Sequence, residues 1–313
     1  MTGGQSAPAG RPDVAVATDV AGGTDVTGAV LARTAHGTVT AAHPGRRSRA
    51  ARIARLAAMR VHVVSDVHGS AEALARAGAG ADALVCLGDL ILFLDYDDHG
   101  AGIFADLFGP GAAGKLIELR TARRFDDARA FSAELWTALG GDRASIIEGK
   151  IREQYQALFA ALPIPTYLTY GNVDLPHLAV DYLRDGITVL DGSTVHIADR
   201  TFGFVGGGLR TPMRTPNEIS DEEFAAKVHA VGAVDVLCSH IPPAVPELLY
   251  DVQARRLERG SEVLLEQIRA TAPRLVLFGH VHNPLVRRTR IGRTECVNVG
   301  HFRGLGAPFV LQW

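Results

Sequence analysis

The stretch LFGHVHNP, residues 277–284, closes the apolar run Leu275–Phe278 with a glycine and two histidines, His280 and His282, one residue apart. Alone, such a pair could be a surface turn. Its meaning depends on whether other strand-like runs end in partners for it, and they do. VVSDVHG puts Asp66 and His68 after the first apolar run, and VCLGDL puts Gly88 and Asp89 after the second. TYGNVD places Gly171, Asn172 and Asp174 after the third, and CSH places His240 after a later one. In open α/β sheets, sites form beyond the carboxyl ends of the strands, so these endings are expected to converge.

The spacing supports this. Residues at i and i+2 of an extended segment point the same way, which suits both Asp66/His68 and His280/His282. Gly88, Gly171 and Gly279 each precede a candidate ligand, where a crowded centre needs close backbone approach. The set Asp66, His68, Asp89, Asn172, His240, His280 and His282 mixes carboxylates, one amide and several imidazoles. That mixture suits borderline divalent ions and is too oxygen-poor for a calcium cage. It is too large for one tetrahedral site. A carboxylate bridging two ions would give each a full set of ligands, the arrangement of two-metal hydrolases.

Around these residues the chain is ordinary in bulk. Its 313 residues, 47% apolar, suffice for one large domain or two small ones with a substantial core. A formal charge of −2 gives no reason to expect nucleic acid as a partner. No apolar run approaches the roughly 20 residues of a membrane span. Cys86, Cys238 and Cys296 lie apart in strand-like runs, which predicts buried free thiols and a reducing, cytoplasmic compartment. Residues 1–58, rich in Gly, Ala, Thr and Pro and ending in a basic stretch, predict a disordered extension, with Met59 a candidate start. Residues 59–313 alternate strands and helices, then run through consecutive short strands. This predicts two packed mixed sheets with helices outside. A segment at about 95–162 carries GKLIELRTARRFDDARAFSAELWTAL and SIIEGKIREQYQALFAAL, both apolar at helical spacing. It predicts a helical insertion, expected to cap the mouth of the site, with Phe131 and Trp136 as packing residues.

In this order, Asp-x-His, Gly-Asp, Gly-Asn, His and Gly-His-x-His resemble the calcineurin-like metallophosphoesterase superfamily, from Val61 to Gly300. The resemblance implies a four-layer α-β-β-α sandwich of two mixed sheets flanked by helices. It implies that Asp66, His68 and His282 hold one divalent ion (Mn, Fe or Zn), that Asn172, His240 and His280 hold a second, and that Asp89 bridges them. The ligand histidines are expected to keep one ring nitrogen for partners such as Asp174 or backbone carbonyls, and Asp174 is expected to join Asp66, Asp89 and Asn172 in catalysis. There are departures. Val173 stands where many relatives have the histidine of Gly-Asn-His, a feature shared with the smaller bacterial and archaeal phosphodiesterase-like branch. LILFLDYDDHG lacks the Asp-Arg-Gly of protein phosphatases. The implied activity is hydrolysis of a small-molecule phosphoester, a diester before a monoester, with Arg210, His99, His177 and His301 as candidate substrate contacts. The alternative is a non-catalytic scaffold like the retromer subunit of this fold; a complete ligand set favours the enzyme.

Overall fold

In the first apolar run, Val61 and Val63 are completely buried on one side of the chain while His62 and Val64 are buried on the other. A strand sealed on both faces must lie between two layers, and the computed structural model, which describes residues 58–313, places it there. Residues 1–57, and with them the expected extension, lie outside the described residues.

One sheet contains β1 (Arg60–Val64), β2 (Ala83–Cys86), β3 (Thr166–Leu168) and β4 (Ile187–Val189). The second is built from β5 (Ser193–Ile197), β6 (Arg200–Val205), β7 (Val236–Ser239), β8 (Leu275–Phe278), β9 (Arg288–Ile291) and β10 (Thr294–Asn298). The last strand, β11 (Phe309–Gln312), returns to the first sheet. The five-stranded sheet has the order β11-β1-β2-β3-β4 and the six-stranded sheet the order β9-β10-β8-β7-β6-β5. In the first, only the β1–β11 pair is antiparallel. In the second, β6, β7, β8 and β10 are parallel, and β5 and β9 are antiparallel edge strands.

Alternation along the strands builds the layers. Val61, Val63 and Val85 from the first sheet meet Phe202, Phe204, Val236, Cys238, Leu277 and Val297 from the second in a central core. The opposite face of the first sheet, with Val64, Leu84, Cys86 and Leu168, packs on helices α1 (Ala71–Ala77) and α4 (Arg143–Ala161). Leu237, Val276 and Phe278 on the outer face of the second sheet pack on α5 (Asp221–Val231) and α6 (Glu262–Thr271). This is the four-layer α-β-β-α sandwich of two mixed sheets.

The segment between β2 and β3 forms α2 (Ile103–Thr121), α3 (Phe125–Leu139) and α4. The apolar spacing of residues 114–139 reads as one continuous stretch. The structure breaks it at Arg123, which takes a left-handed φ of 58°. Helices α2 and α3 then close on a small core of Phe104, Leu116, Leu119 and Ala128, with Phe131 against it. Trp136 is buried edge-on to Phe108 at 4.9 Å. Helix α4 instead contributes Ile151, Tyr155, Leu158 and Phe159 to the outer core of the first sheet. Beside the strand ends it meets Leu92, whose N–H donates to Gln154 Oε1 (2.8 Å) and whose carbonyl accepts from Gln154 Nε2 (3.0 Å).

Candidate metal centre

Parallel pairing leaves β1, β2 and β3 of one sheet, and β6, β7, β8 and β10 of the other, ending at a common edge. The chain turns sharply there. Asp66 (φ 56°), His68 (42°), Asp89 (53°) and His280 (68°) all adopt the left-handed conformation that non-glycine residues avoid. Each such residue costs about 1–3 kcal/mol, so the surroundings must hold it in place. Backbone bonds do so: Asp66 N–H donates to the Gly88 carbonyl (3.0 Å), and His68 N–H donates to that of Asp89 (2.9 Å).

All three glycines before the ligands are required for space; a Cβ on Gly88 would collide with the backbone of Tyr170 and Gly171. A Cβ on Gly279 would collide with Ser65 and the Asp66 carboxylate, and one on Gly171 would collide with the carboxylate and backbone of Asp89.

Every predicted ligand meets another at this edge. His68 Nε2 and His282 Nε2 lie 3.3 Å apart, and His282 Nε2 lies 3.4 Å from Asp66 Oδ1. Ligand atoms of Asp66, His68 and Asp89 all lie within 4.8 Å of one another. On the other side, Asn172 Oδ1 lies 2.9 Å from His240 Nε2 and 3.0 Å from His280 Nδ1. Asp89 stands between the groups: Oδ2 is 3.9 Å from His68 Nε2, and Oδ1 is 3.4 Å from His240 Nε2.

Surrounding atoms fix the donors. The ring Nδ1 atoms of His240 and His68 bond the backbone carbonyls of Leu87 (2.9 Å) and Ile91 (3.0 Å), which turns Nε2 of each toward the centre. The Asn172 amide donates from Nδ2 to Thr215 Oγ1 (3.0 Å), leaving Oδ1 for the ligand cluster. Thr215 in turn donates to Glu218 Oε1 (2.9 Å). Asn217 donates through its backbone N–H to the Asn172 carbonyl and through its side chain to that of Gly171, both at 2.9 Å. Local sequence gives no sign of the Thr215–Asn217–Glu218 clasp. Asn298 is also missed, although an amide buried at the end of the apolar strand β10 is a legible oddity; it donates to the carbonyls of Gly279 and Val281 around His280.

Asp174 differs from expectation. It touches no ligand histidine. Its carboxylate accepts from the backbone N–H groups of Asp89 (2.9 Å), Leu90 (2.9 Å) and Gly171 (2.8 Å), and so ties the Asp89 turn to the Asn172 turn. Of the two kinds of partner expected for the ring nitrogens, backbone carbonyls hold His68 and His240. Val173 is similarly a backbone contributor: its N–H donates to Asp89 Oδ1 (3.0 Å) while its side chain packs on the helix-side core.

The electrostatics are those of a cation site. Burial opposes ionisation of Asp66, yet the hydrogen bond and charge of His282 outweigh it and hold the carboxyl well below the usual range. For Asp89, burial is likewise outweighed, chiefly by His240, and its carboxyl is lowered. Burial and repulsion from Asp89 push Asp174 up to about 7. Burial opposes protonation of His240, but Asp89 prevails and raises it to about 9; His282 is raised, against burial, by Asp66. Burial lowers His68 and His280. Histidines are the main compensating cations for the acids, so the donor set fits divalent ions, whose binding would displace protons from His240 and His282.

Of the candidate substrate contacts, His301 is brought in. It stacks on His282 with centroids 3.9 Å apart and planes at 7°, and it forms a candidate ligand group with His68 and His282. Its Nε2 is buried without a hydrogen-bond partner among the described residues. The others are not assembled there. His99 is exposed against Gly114 of α2, and His177 is exposed on the short helix Pro176–Ala179. The exposed Arg210 side chain makes no hydrogen bond or ion pair to a ligand among the described residues.

A profile of the calcineurin-like phosphoesterases matches residues 59–284. The chain belongs to that family. A solved structure at 15% identity superposes with a TM-score of 0.51, covering 82% of this chain and 99% of its own. The protein TT1561 of Thermus thermophilus gives 0.47 at 14% identity, over 82% and 99% of the two chains. The purple acid phosphatase PPD1 from yellow lupin seeds gives 0.37 at 12% identity, over 78% and 44%. Among curated proteins none matches this chain in sequence. No helix of the described residues is long and apolar enough to cross a membrane.

Proposed function

We propose that this calcineurin-like phosphoesterase is a dinuclear hydrolase of small phosphodiesters. The observation that carries the reading is the position of Asp89. One carboxylate oxygen faces His68 of the Asp66/His68/His282 group, and the other faces His240 of the Asn172/His240/His280 group. Asp66, His68 and His282 would hold one divalent ion (Mn, Fe or Zn) and Asn172, His240 and His280 a second, and the pair would supply Lewis-acid polarisation of the phosphoryl group and an activated water. The protein supplies fixed donors: Asp89 shared, Asn172 aimed by Thr215, and His68 and His240 aimed by backbone carbonyls. Buried free Cys86, Cys238 and Cys296 accord with work in the cytoplasm.

A diester is favoured because Val173 matches the phosphodiesterase-like branch in lacking the histidine of Gly-Asn-His, and among the described residues no obvious acid faces a poor leaving group. Val173 carries no proton. Burial, aided by the charge of His282, pushes His301 down to about 4, so that its ring is neutral at pH 7. A positioned general acid contributes about 10²–10⁴-fold, and its absence makes turnover depend on leaving-group stability. The test is a series of aryl and alkyl phosphodiesters under conditions where chemistry limits the rate. Log kcat/KM should fall steeply as leaving-group pKa rises, and chelation should abolish turnover. A flat slope would mean that a residue already delivers the proton, and chelator-resistant turnover would refute the metal reading.

A further inference from the structure

A cleft of about 330 Å³ lies between α2, α3, the start of α4 and the loop 211–214, and is lined by Arg120, Arg129, Arg143 and Arg214 with no acidic residue among its walls. In a chain of formal charge −2 this is a local excess of cations. Arg129 pairs with Asp126, outside the lining; among the described residues Arg120, Arg143 and Arg214 have no ion-pair partner. The cleft is supported on both sides. Arg143 lies over the Trp136 ring, 5.0 Å from its centroid, a cation–π contact that orients the guanidinium. Opposite, Glu218 accepts from Thr211 N (2.7 Å), Thr211 Oγ1 (2.6 Å) and Thr215 Oγ1 (2.9 Å), which pins the loop carrying Arg214.

That same loop touches the metal centre. Thr215, the residue after Arg214, receives the Asn172 amide at 3.0 Å. Consecutive Cα atoms are about 3.8 Å apart, so the basic wall begins within a residue or two of a ligand's own support. Guanidinium groups bind phosphoryl oxygens with paired, charge-assisted hydrogen bonds. Phe125 and Met213 add apolar surface to the same walls.

Resting on the phosphodiesterase reading above, we infer that this cleft takes a second phosphoryl group on the remote half of the substrate. The substrate class is then a small phosphodiester that is also phosphorylated at its far end, joined through a short spacer such as a nucleoside.

The test uses thymidine 5′-(p-nitrophenyl phosphate) and the same ester carrying a 3′-phosphate. The 3′-phosphorylated ester should have kcat/KM about 10- to 100-fold higher, the range of one charge-assisted hydrogen bond. Arg120→Gln with Arg143→Gln should erase that ratio while leaving bis(p-nitrophenyl) phosphate turnover unchanged and lowering the melting temperature by no more than about 4 °C, the scale of the lost cation–π contact. Equal kcat/KM for the two esters, or a ratio that survives both substitutions, would overturn the assignment. Calorimetry of inorganic pyrophosphate with the Asp89→Asn protein separates the two readings. Binding lost on adding Arg120→Gln supports the cleft independently of the metals. If the unaltered protein hydrolyses the esters but its Asp89→Asn form binds no pyrophosphate, the cleft is overturned; if the Asp89→Asn form binds pyrophosphate while the unaltered protein hydrolyses neither ester, the proposed function and the substrate role are overturned together. Inhibition that strengthens steadily with oligothymidylate length would put a nucleic-acid strand there instead, and would overturn the small-molecule class.

Discussion

The first sheet brings Asp66, Asp89 and Asp174 to the centre, whereas the second brings His240, His280 and His282; only His68 and Asn172 depart from this division by coming from the first sheet as neutral donors. The two halves are also held differently. Each carboxylate is almost fully buried and accepts backbone N–H groups: that of His280 for Asp66, that of Val173 for Asp89, and three for Asp174. The imidazoles are anchored less uniformly. His240 is fully buried and tied to a carbonyl, while the side chain of His282 is 35% exposed and rests on His301. Charge therefore comes from a half that cannot rearrange, and part of the neutral coordination from a half that can. Loss of Asp89, the carboxylate that faces both groups, should cost both sites, and losses on the imidazole side should be confined to one.

The largest expected effect is that of Asp89→Asn, which removes the charge facing both ligand groups. Loss of several kcal/mol of transition-state stabilisation predicts a fall in kcat/KM of about 10³-fold or more. Steady-state kinetics with bis(p-nitrophenyl) phosphate measures it, and a change below tenfold would break the division between the halves.

Next come the imidazoles, compared with each other. His240→Ala removes a buried, anchored ligand, and His282→Ala an open one with His301 beside it. Metal titration should show each losing one ion, with His282→Ala recovering more of its affinity at high metal concentration. Equal loss of both ions in His282→Ala would mean that the groups are not separable.

Asp174→Asn should be milder, because it alters support and not a ligand. Outer partners of metal ligands are worth about 10–100-fold in affinity or activity. The amide also presents hydrogen atoms to backbone N–H groups that now have a carboxylate, and a buried donor left unpaired costs about 1–3 kcal/mol. Denaturant melts should show that loss, and an unchanged midpoint would contradict the tie between the Asp89 and Asn172 turns. Thr215→Val should be the smallest, weakening only the Asn172 group, by about tenfold at the low end of the outer-partner range. A metal-affinity change confined to the other group would show that the Thr215 clasp acts elsewhere.

The same division explains what the sequence made legible. Metal ligation demands particular residue types directly after strands, so Asp66, Asp89, Asn172, His240, His280 and His282 stand out against the apolar runs they terminate. The layers were legible in the alternation of apolar strand-like runs with helical stretches, followed by consecutive short strands. What supports the ligands was not. Thr215 lies 43 residues from Asn172 in the chain, in a segment that reads as an ordinary turn. Asp174 resembles a histidine partner by position, but only the folded turns reveal three N–H groups aimed at it. The break at Arg123 was hidden because apolar spacing continues across it while the backbone reverses into a left-handed residue. His99 and His177 sit near motifs in the chain, yet proximity in sequence says nothing of which way a loop carries them.

The measurement that tests the central claim most directly is metal content per chain, by elemental analysis after equilibration with Mn, Fe or Zn and removal of free ion. The account predicts two divalent ions bound to the unaltered protein and a loss at both sites in Asp89→Asn. A single ion, or none under replete conditions, would contradict it.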